Sequence, residues 1–409
     1  MSEQLELRAA PLDGVPDVVA DRAALSEAAD AVRSGRGPIG LDAERASGYR
    51  YGQHAYLVQL RREGAGTWLI DPVACPDLTI VDTAIGDSEW ILHAATQDLV
   101  CLAEVGLHPR RLFDTELGGR LAGRPRVGLG AMVEHYLGFR LAKEHSAVDW
   151  SSRPLPEPWL RYAALDVEVL GDLRDAVADD LERQGKLGWA REEFDNLLSF
   201  TGPEARVDPW RRTSGVHKVR TRRGLAIVRE LWFDRDAIAQ RRDVSPGRVL
   251  PDAAIAELAL EHQRDHRAPK SVGSKDPRLA RSIRRNGDVI VEAIAAALAL
   301  PEDDLPPLNL PHSGPPPPRS WADRDPVAAA RLARARELMA AVSEELAVPV
   351  ENLLTPELLR RFLWEARTEP TTEEVAKTLR AAGAREWQVT ITAPLIALAC
   401  AENPFPRVD

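Results

Sequence analysis

The chain has 409 residues, 44% hydrophobic and 28% charged, which is enough apolar material for two or three cores and too much for a disordered chain. The net charge of −10 argues against tight non-specific nucleic-acid binding by the whole chain, yet the span 205–300 carries 20 Lys/Arg against 12 Asp/Glu, about +8 against about −18 elsewhere. No apolar run reaches the ~18 residues of a membrane-crossing helix, the opening MSEQLELRAAPLDG has no signal-peptide pattern, and Cys75, Cys101 and Cys400 lack disulfide or zinc spacing, so a reducing cytoplasm is expected.

In chain order, a helix is predicted over Asp21–Arg33 and is broken by Gly-Arg-Gly-Pro at 35–38. Three strand-like runs follow, Ile39–Glu44, Ala55–Leu60 and Thr67–Ile70, the last two joined by a hairpin connection at 61–66. Trp90–His93 is a short strand running into a helix, and Phe113–Thr115 begins another strand-to-helix step. From about 115 to 200 the pattern is mainly helical, interrupted near Ser151–Pro158. Strands first, then strand–helix alternation, predict a mixed five-stranded sheet covered by helices over 1–205. Residues 206–221 are basic and polar and read as a linker. Several helical patterns fill 222–300, a Pro-rich stretch reads as a stiff linker over 301–325, and 326–409 is helical again. Asn352–Pro356 echoes Arg248–Asp252, a weak sign of one helical module used twice.

Four acids stand out by context. Asp42 and Glu44 close the first strand, two residues apart and therefore on one face. Asp98 lies in the first turn after Trp90–His93, and Asp166 sits on an amphipathic helix four residues beyond Tyr162. Any one of these also reads as a solvated carboxylate or a helix cap, Asp98 above all. Asp42 is the exception, because an acid after Pro-Ile-Gly-Leu is hard to place on a surface, and buried paired carboxylates call for a cation.

The flanks and order of these acids carry more. D-x-E at Asp42–Glu44, then Gln59-Leu60, Ile70-Asp71-Pro72, L-H-A-x-x-x-D-L over Leu92–Leu99, Phe113-Asp114-Thr115, D-W-x-x-R-P-L over Asp149–Leu155, and Y-A-A-x-D-V over Tyr162–Val167 form a series that closely resembles bacterial ribonuclease D. That family belongs to the DEDD 3′–5′ exonucleases, in the subclass with a tyrosine in the last motif. The resemblance implies a ribonuclease H-like α/β fold over about 15–200 and places the family's metal-binding acids on Asp42, Glu44, Asp98 and Asp166. Its catalytic tyrosine falls on Tyr162, with Glu44 also at the reacting centre. The cofactors implied are two divalent ions, Mg²⁺ or Mn²⁺, since all-oxygen ligand sets suit hard cations. Asp42 is expected to bridge both ions, with Glu44 and Asp166 completing one and Asp98 serving the other. The reaction implied is trimming of RNA 3′ ends, such as those of tRNA precursors, to release 5′-nucleotides. A DNA exonuclease of the same fold and a non-catalytic RNA-binding scaffold are the alternatives. Two departures stand out: Arg45, where an aromatic or apolar residue is usual, and the Gly- and Tyr-rich stretch 45–54.

Residues 222–300 resemble the helical HRDC module, through Leu231-Trp232-Phe233, Ile238-Ala239, Val244–Asp252 and Ile255–Leu258. Residues 326–400 resemble a second, divergent copy, acidic enough to be better suited to packing than to RNA. Candidate RNA contacts are His93 at the cleft mouth and the cluster Lys218, Arg220, Arg222 and Arg223, whose charges would meet backbone phosphate. Lys143-Glu144 and Asp149-Trp150 either position substrate or fix a loop. A monomer acting on RNA, away from membranes, is expected.

Overall fold

The computed structural model describes residues 5–142, 147–265, 267–310 and 314–401. Strands β1 (Leu7–Arg8) and β8 (Arg140–Leu141) pair as a small separate sheet. Strands β2 (Val18–Val19), β3 (Arg36–Arg45), β4 (Ala55–Glu63), β5 (Gly66–Ile70), β6 (Trp90–Leu92) and β7 (Leu112–Asp114) form a mixed sheet in the order β2-β5-β4-β3-β6-β7. Five of the six are the expected strands, and the sixth, β2, is a two-residue edge strand too short to leave a pattern. β3, β4 and β5 run antiparallel, while β6 and β7 join β3 in parallel on its other side. The first helix spans Arg22–Ser34 and is capped by Asp21, whose carboxylate accepts from the Ala23 and Ala24 amides at 2.9 and 3.0 Å.

Alternation along β3 separates core from chemistry. Ile39, Leu41 and Ala43 enter the main core, so Gly40, Asp42 and Glu44 face the other way. On that second face the register sets Asp42 against Gln59 and Glu44 against Leu57. The helix Glu157–Glu168 crosses this face, with Ala163 and Ala164 packed among Leu57, Leu69 and Trp150. A Cβ on Gly40 would lie 3.2 Å from both Leu170 Cβ and the Val167 carbonyl oxygen. Glycine at this position therefore lets the helical backbone approach the strand beside the point where Asp166 is presented.

Residues 209–305 form one helical body. Helices Arg222–Arg242, Asp252–His262, Pro277–Arg285 and Gly287–Ala299 share a core with Trp210, Val219 and Leu305. The span 206–221 is thus not a free linker. Trp210 is fully buried, because an indole gains too much from leaving water to remain in a solvated tether, and Arg211 lies 4.3 Å from its ring centroid. The Pro-rich spacer is shortened at both ends, since Leu305 belongs to this core and the buried Trp321 to the next.

The C-terminal helices, Pro326–Leu346, Pro356–Glu365, Thr372–Ala381 and Glu386–Ala401, continue the hydrophobic core of the sheet domain. Trp387 stacks on Trp189 with ring centroids 5.1 Å apart and planes 12° apart. The buried Glu193 accepts from Arg385 Nε at 2.8 Å and Trp387 Nε1 at 3.0 Å. Lys186 donates to the Leu346 carbonyl. The middle body docks elsewhere, on the loop after β3. Tyr51 donates to Asp236 at 3.0 Å, Arg50 pairs with Asp243 at 3.2 Å, and Arg248 Nε donates to the Gly48 carbonyl at 2.9 Å. No described helix is long and apolar enough to cross a membrane.

Candidate metal centre

Three of the four singled-out acids converge. Carboxylate oxygens of Asp42, Glu44 and Asp166 lie within 4.8 Å of one another, the one such group among the described residues. Asp42 and Glu44 reach the cluster from one face of β3, and Asp166 descends from the crossing helix. Burial pushes the Asp42 carboxyl up to about 6, and burial together with Asp42 pushes Asp166 up to about 8. Glu44 is held well above the usual carboxylate range by burial first, then by Asp42, Asp166 and Asp98. These groups resist ionising together without a cation, and their oxygen-only donor set fits a hard divalent ion.

Asp98 stands beside this trio. It occupies the N-cap position of the helix Leu99–Glu104, yet its side chain makes no capping hydrogen bond, so capping does not account for it. Burial and the nearby Asp42 raise its pKa well above normal. The opposing cation is Arg45, 3.7 Å from Asp98 and 3.4 Å from Gln97 Oε1. Arg45 lowers the pKa of Asp42, Glu44 and Asp98 alike, a role the sequence marked only as an unusual residue after D-x-E. The Tyr162 hydroxyl donates to the Asp166 carboxylate, and burial followed by the charges of Asp166 and Glu44 raises its pKa far beyond a free phenol. Tyr162 therefore stays protonated and can orient a water but not deprotonate it. A cavity of about 370 Å³ opens beside the trio, lined by Glu44, Arg45, Ser47, Tyr49, Gln53 and Val148.

The remaining motifs are struts. The Asp114 carboxylate accepts from the amides of Ala94, Ala95, Glu116 and Leu117 at 2.8–3.1 Å, tying the F-D-T strand end to the turn that carries Asp98. Arg153 makes a two-pronged bond to Asp71, 2.7 Å on each arm, and also donates to the Tyr56 carbonyl, so the R-P-L and I-D-P motifs are one joint. Trp150 is buried beneath the Asp166 helix, and Asp149 accepts from the Ser151 amide, the loop-fixing role of that pair. Lys143 and Glu144 lie outside the described residues. Gln59, opposite Asp42, is fully buried, and its amide has no partner among the described residues.

The polar contacts of His93 among the described residues are internal to the fold. Its Nδ1 is 2.8 Å from Thr115 Oγ1 and its ring bonds the Val127 backbone, while burial lowers its pKa to about 4 and keeps it neutral. The basic cluster divides. Arg222 donates to the Leu305 and Pro306 carbonyls, and Arg223 to the carbonyls ending the helix Gly287–Ala299 and to Glu302 at 2.7 Å. These two side chains close their own fold, because orphan carbonyls at a helix end attract cations. Lys218 and Arg220 are exposed.

Residues 16–182 match the family model described as 3′-5′ exonuclease, and residues 224–294 match the HRDC domain. Ribonuclease D of Gluconacetobacter diazotrophicus is 31% identical over 336 residues, 80% of this chain and 81% of that protein. The chain belongs to the ribonuclease D family. Ribonuclease D of Escherichia coli is 32% identical over 291 residues, 69% of this chain and 75% of its own. The crystal structure of E. coli RNase D, described as an exoribonuclease involved in structured RNA processing, superposes with a TM-score of 0.66 at 25% identity, covering 95% of this chain and 99% of that one. A crystal structure of a protein from Bifidobacterium adolescentis reaches a TM-score of 0.84 at 38% identity, covering 97% and 100%. Residues 314–400, which include most of the segment 326–409 read from the sequence as a second HRDC-like bundle, match the model described as 3′ to 5′ exonuclease C-terminal domain, in keeping with their packing on the ribonuclease D core.

Proposed function

We propose that the chain is a divalent-metal-dependent 3′–5′ exoribonuclease that trims structured RNA, tRNA precursors among them, and releases 5′-nucleotides. The observation that carries this reading is the convergence of Asp42, Glu44 and Asp166 within 4.8 Å in a half-buried to buried setting that raises their pKa values. Asp42, Glu44, Asp166 and Asp98 are the residues that would hold two Mg²⁺ or Mn²⁺ ions. Such ions, when bound, supply charge stabilisation at the scissile phosphate and at the leaving oxygen. The Tyr162 hydroxyl, held by Asp166, orients the attacking water, and the protonated phenol keeps that water's lone pair aimed at phosphorus. Asp114 fixes the turn bearing Asp98, and Arg153 with Asp71 fixes the loop that leads to Tyr162. The cavity of about 370 Å³ beside Glu44 has room for a terminal nucleotide, with Tyr49 in its wall.

The test uses 5′-labelled RNA and DNA strands of matched sequence, with Mg²⁺, Mn²⁺ or chelator. A ladder shortening from the 3′ end of RNA, dependent on the ion and lost in Asp42→Asn, is expected. Equal trimming by Asp42→Asn, or no trimming by the wild-type chain with either ion, would overturn the reading.

A further inference from the structure

We propose that the helix Pro277–Arg285 is a phosphate track, on which Arg278, Arg281, Arg284 and Arg285 hold the backbone of the RNA strand trailing from the nuclease cleft. The inference rests on the reading of the cleft as a nuclease site. At about 100° per residue the four arginines fall within an arc of about 120°, and the buried Leu279 and Ile283 occupy the opposite side. All four are exposed, and none has a side-chain hydrogen bond or ion pair among the described residues. Half of the other arginines of the body are committed to internal partners. Arg211, Arg222, Arg223, Arg229, Arg235 and Arg248 each bond a carboxylate or a carbonyl. The nearby acids do not neutralise the track. Asp276 is occupied in capping the helix, accepting from the Arg278 amide at 2.8 Å, and Asp288 and Glu292 on the following helix pair with none of the four arginines among the described residues.

The helix is aimed at the cleft through a short relay. It ends at the buried Asn286, whose amide donates to the Val249 carbonyl at 2.9 Å. The neighbouring Arg248 donates to the Gly48 carbonyl at 2.9 Å and lies 4.3 Å from the Tyr49 ring centroid. Gly48 and Tyr49 line the cavity next to Glu44. Val289, at the start of the next helix, and Tyr51 of the same loop pack against one buried cluster of Ile238, Ala239 and Val249. The arginine row therefore begins where the walls of the nuclease cavity end. A cleft of buried acids repels a polyanion, and a row of guanidinium groups beside its exit supplies the attraction the acids lack. Lys218 and Arg220 lie on a separate turn of the chain, outside this row.

The test measures binding, by anisotropy in chelator, and trimming, with Mn²⁺, for RNAs of about 20 and about four nucleotides. In the quadruple Arg→Gln variant, affinity for the longer RNA is expected to fall tenfold or more. Its log–log salt slope should fall by about 3, since each of the four single-strand phosphate contacts contributes about 0.7. Trimming of the short RNA should be unchanged, and the quadruple Arg→Lys variant should keep most of the slope. An unchanged slope for the Arg→Gln variant, or equal loss on both lengths, would overturn the track, as would capture of an acidic protein in place of RNA. Because binding is read in chelator, the track is decided even if no trimming is found, an outcome that would instead sink the nuclease reading.

Discussion

Replacing Asp42 by Asn should make the ion-free protein more stable while abolishing trimming. Asp42 is raised from 3.8 to about 6, chiefly by burial. Each tenfold weakening of an acid on folding corresponds to about 1.36 kcal/mol, so above pH 6 the folded state carries a penalty of about 3 kcal/mol from this carboxylate. The sign follows from proton binding. Below about pH 4 both folded and unfolded states hold the proton and no penalty exists. Between about 4 and 6 the unfolded chain has lost it while the fold retains it, and stability falls with rising pH. Asp166, raised to about 8, extends that decline upward. Asn carries no charge to desolvate, so in chelator at pH 8 the variant should melt about 5 °C above wild type and show a shallower fall between pH 4 and 8. Mn²⁺ should raise the wild-type Tm strongly and the variant's little, since the ion stabilises only the state that binds it. Differential scanning calorimetry with chelator and with Mn²⁺ measures both. If Asp42→Asn melts at or below wild type in chelator, or gains as much from Mn²⁺, the account of frustrated carboxylates fails.

Three further expectations follow from particular contacts. Gln59→Leu removes a fully buried amide with no partner among the described residues and should raise stability in urea melts by about 1–2 kcal/mol; a loss would mean the amide is satisfied. Gly40→Ala places a methyl 3.2 Å from Leu170 Cβ and the Val167 carbonyl, so it should cost about 1–3 kcal/mol and weaken Mn²⁺ binding as the Asp166 helix is displaced, measured by calorimetric titration. Trp387→Ala removes a stacked indole and the donor to Glu193 and should cost about 3–5 kcal/mol, lowering the urea midpoint of the sheet domain itself; a change confined to the C-terminal helices would contradict the shared core.

Periodicity explains which parts of the site could be read in advance. Asp42 and Glu44 share a face because strands repeat every two residues, and Tyr162 and Asp166 because helices repeat every three to four. Both are local properties, and both hold in the fold. The struts were visible as motifs but not as contacts. Asp114 reaches back to Ala94 and Arg153 reaches back to Asp71, and nothing in one sequence announces a bond across 20 or 82 residues. Charge runs misled for a related reason. Arg222 and Arg223 look available in a string of basic residues, but their guanidinium groups are spent on carbonyls more than 70 residues downstream. The exposed arginines of Pro277–Arg285 were hidden by an intervening loop rich in Pro, Gly and Ser. The Gly- and Tyr-rich composition of 45–54, out of place for a nucleotide grip alone, becomes intelligible once Tyr49 and Tyr51 meet Arg248 and Asp236.

The merged core of the sheet domain and the C-terminal helices bears on how the molecule is made. Val19 near one end of the chain and Cys400 near the other belong to the same apolar cluster. During synthesis the first domain leaves the ribosome with Trp189 lacking its stacked partner Trp387, and it must wait for the helix Glu386–Ala401 before that surface closes. A nascent sheet domain thus keeps part of its apolar surface open to chaperones and proteases until that helix has been made.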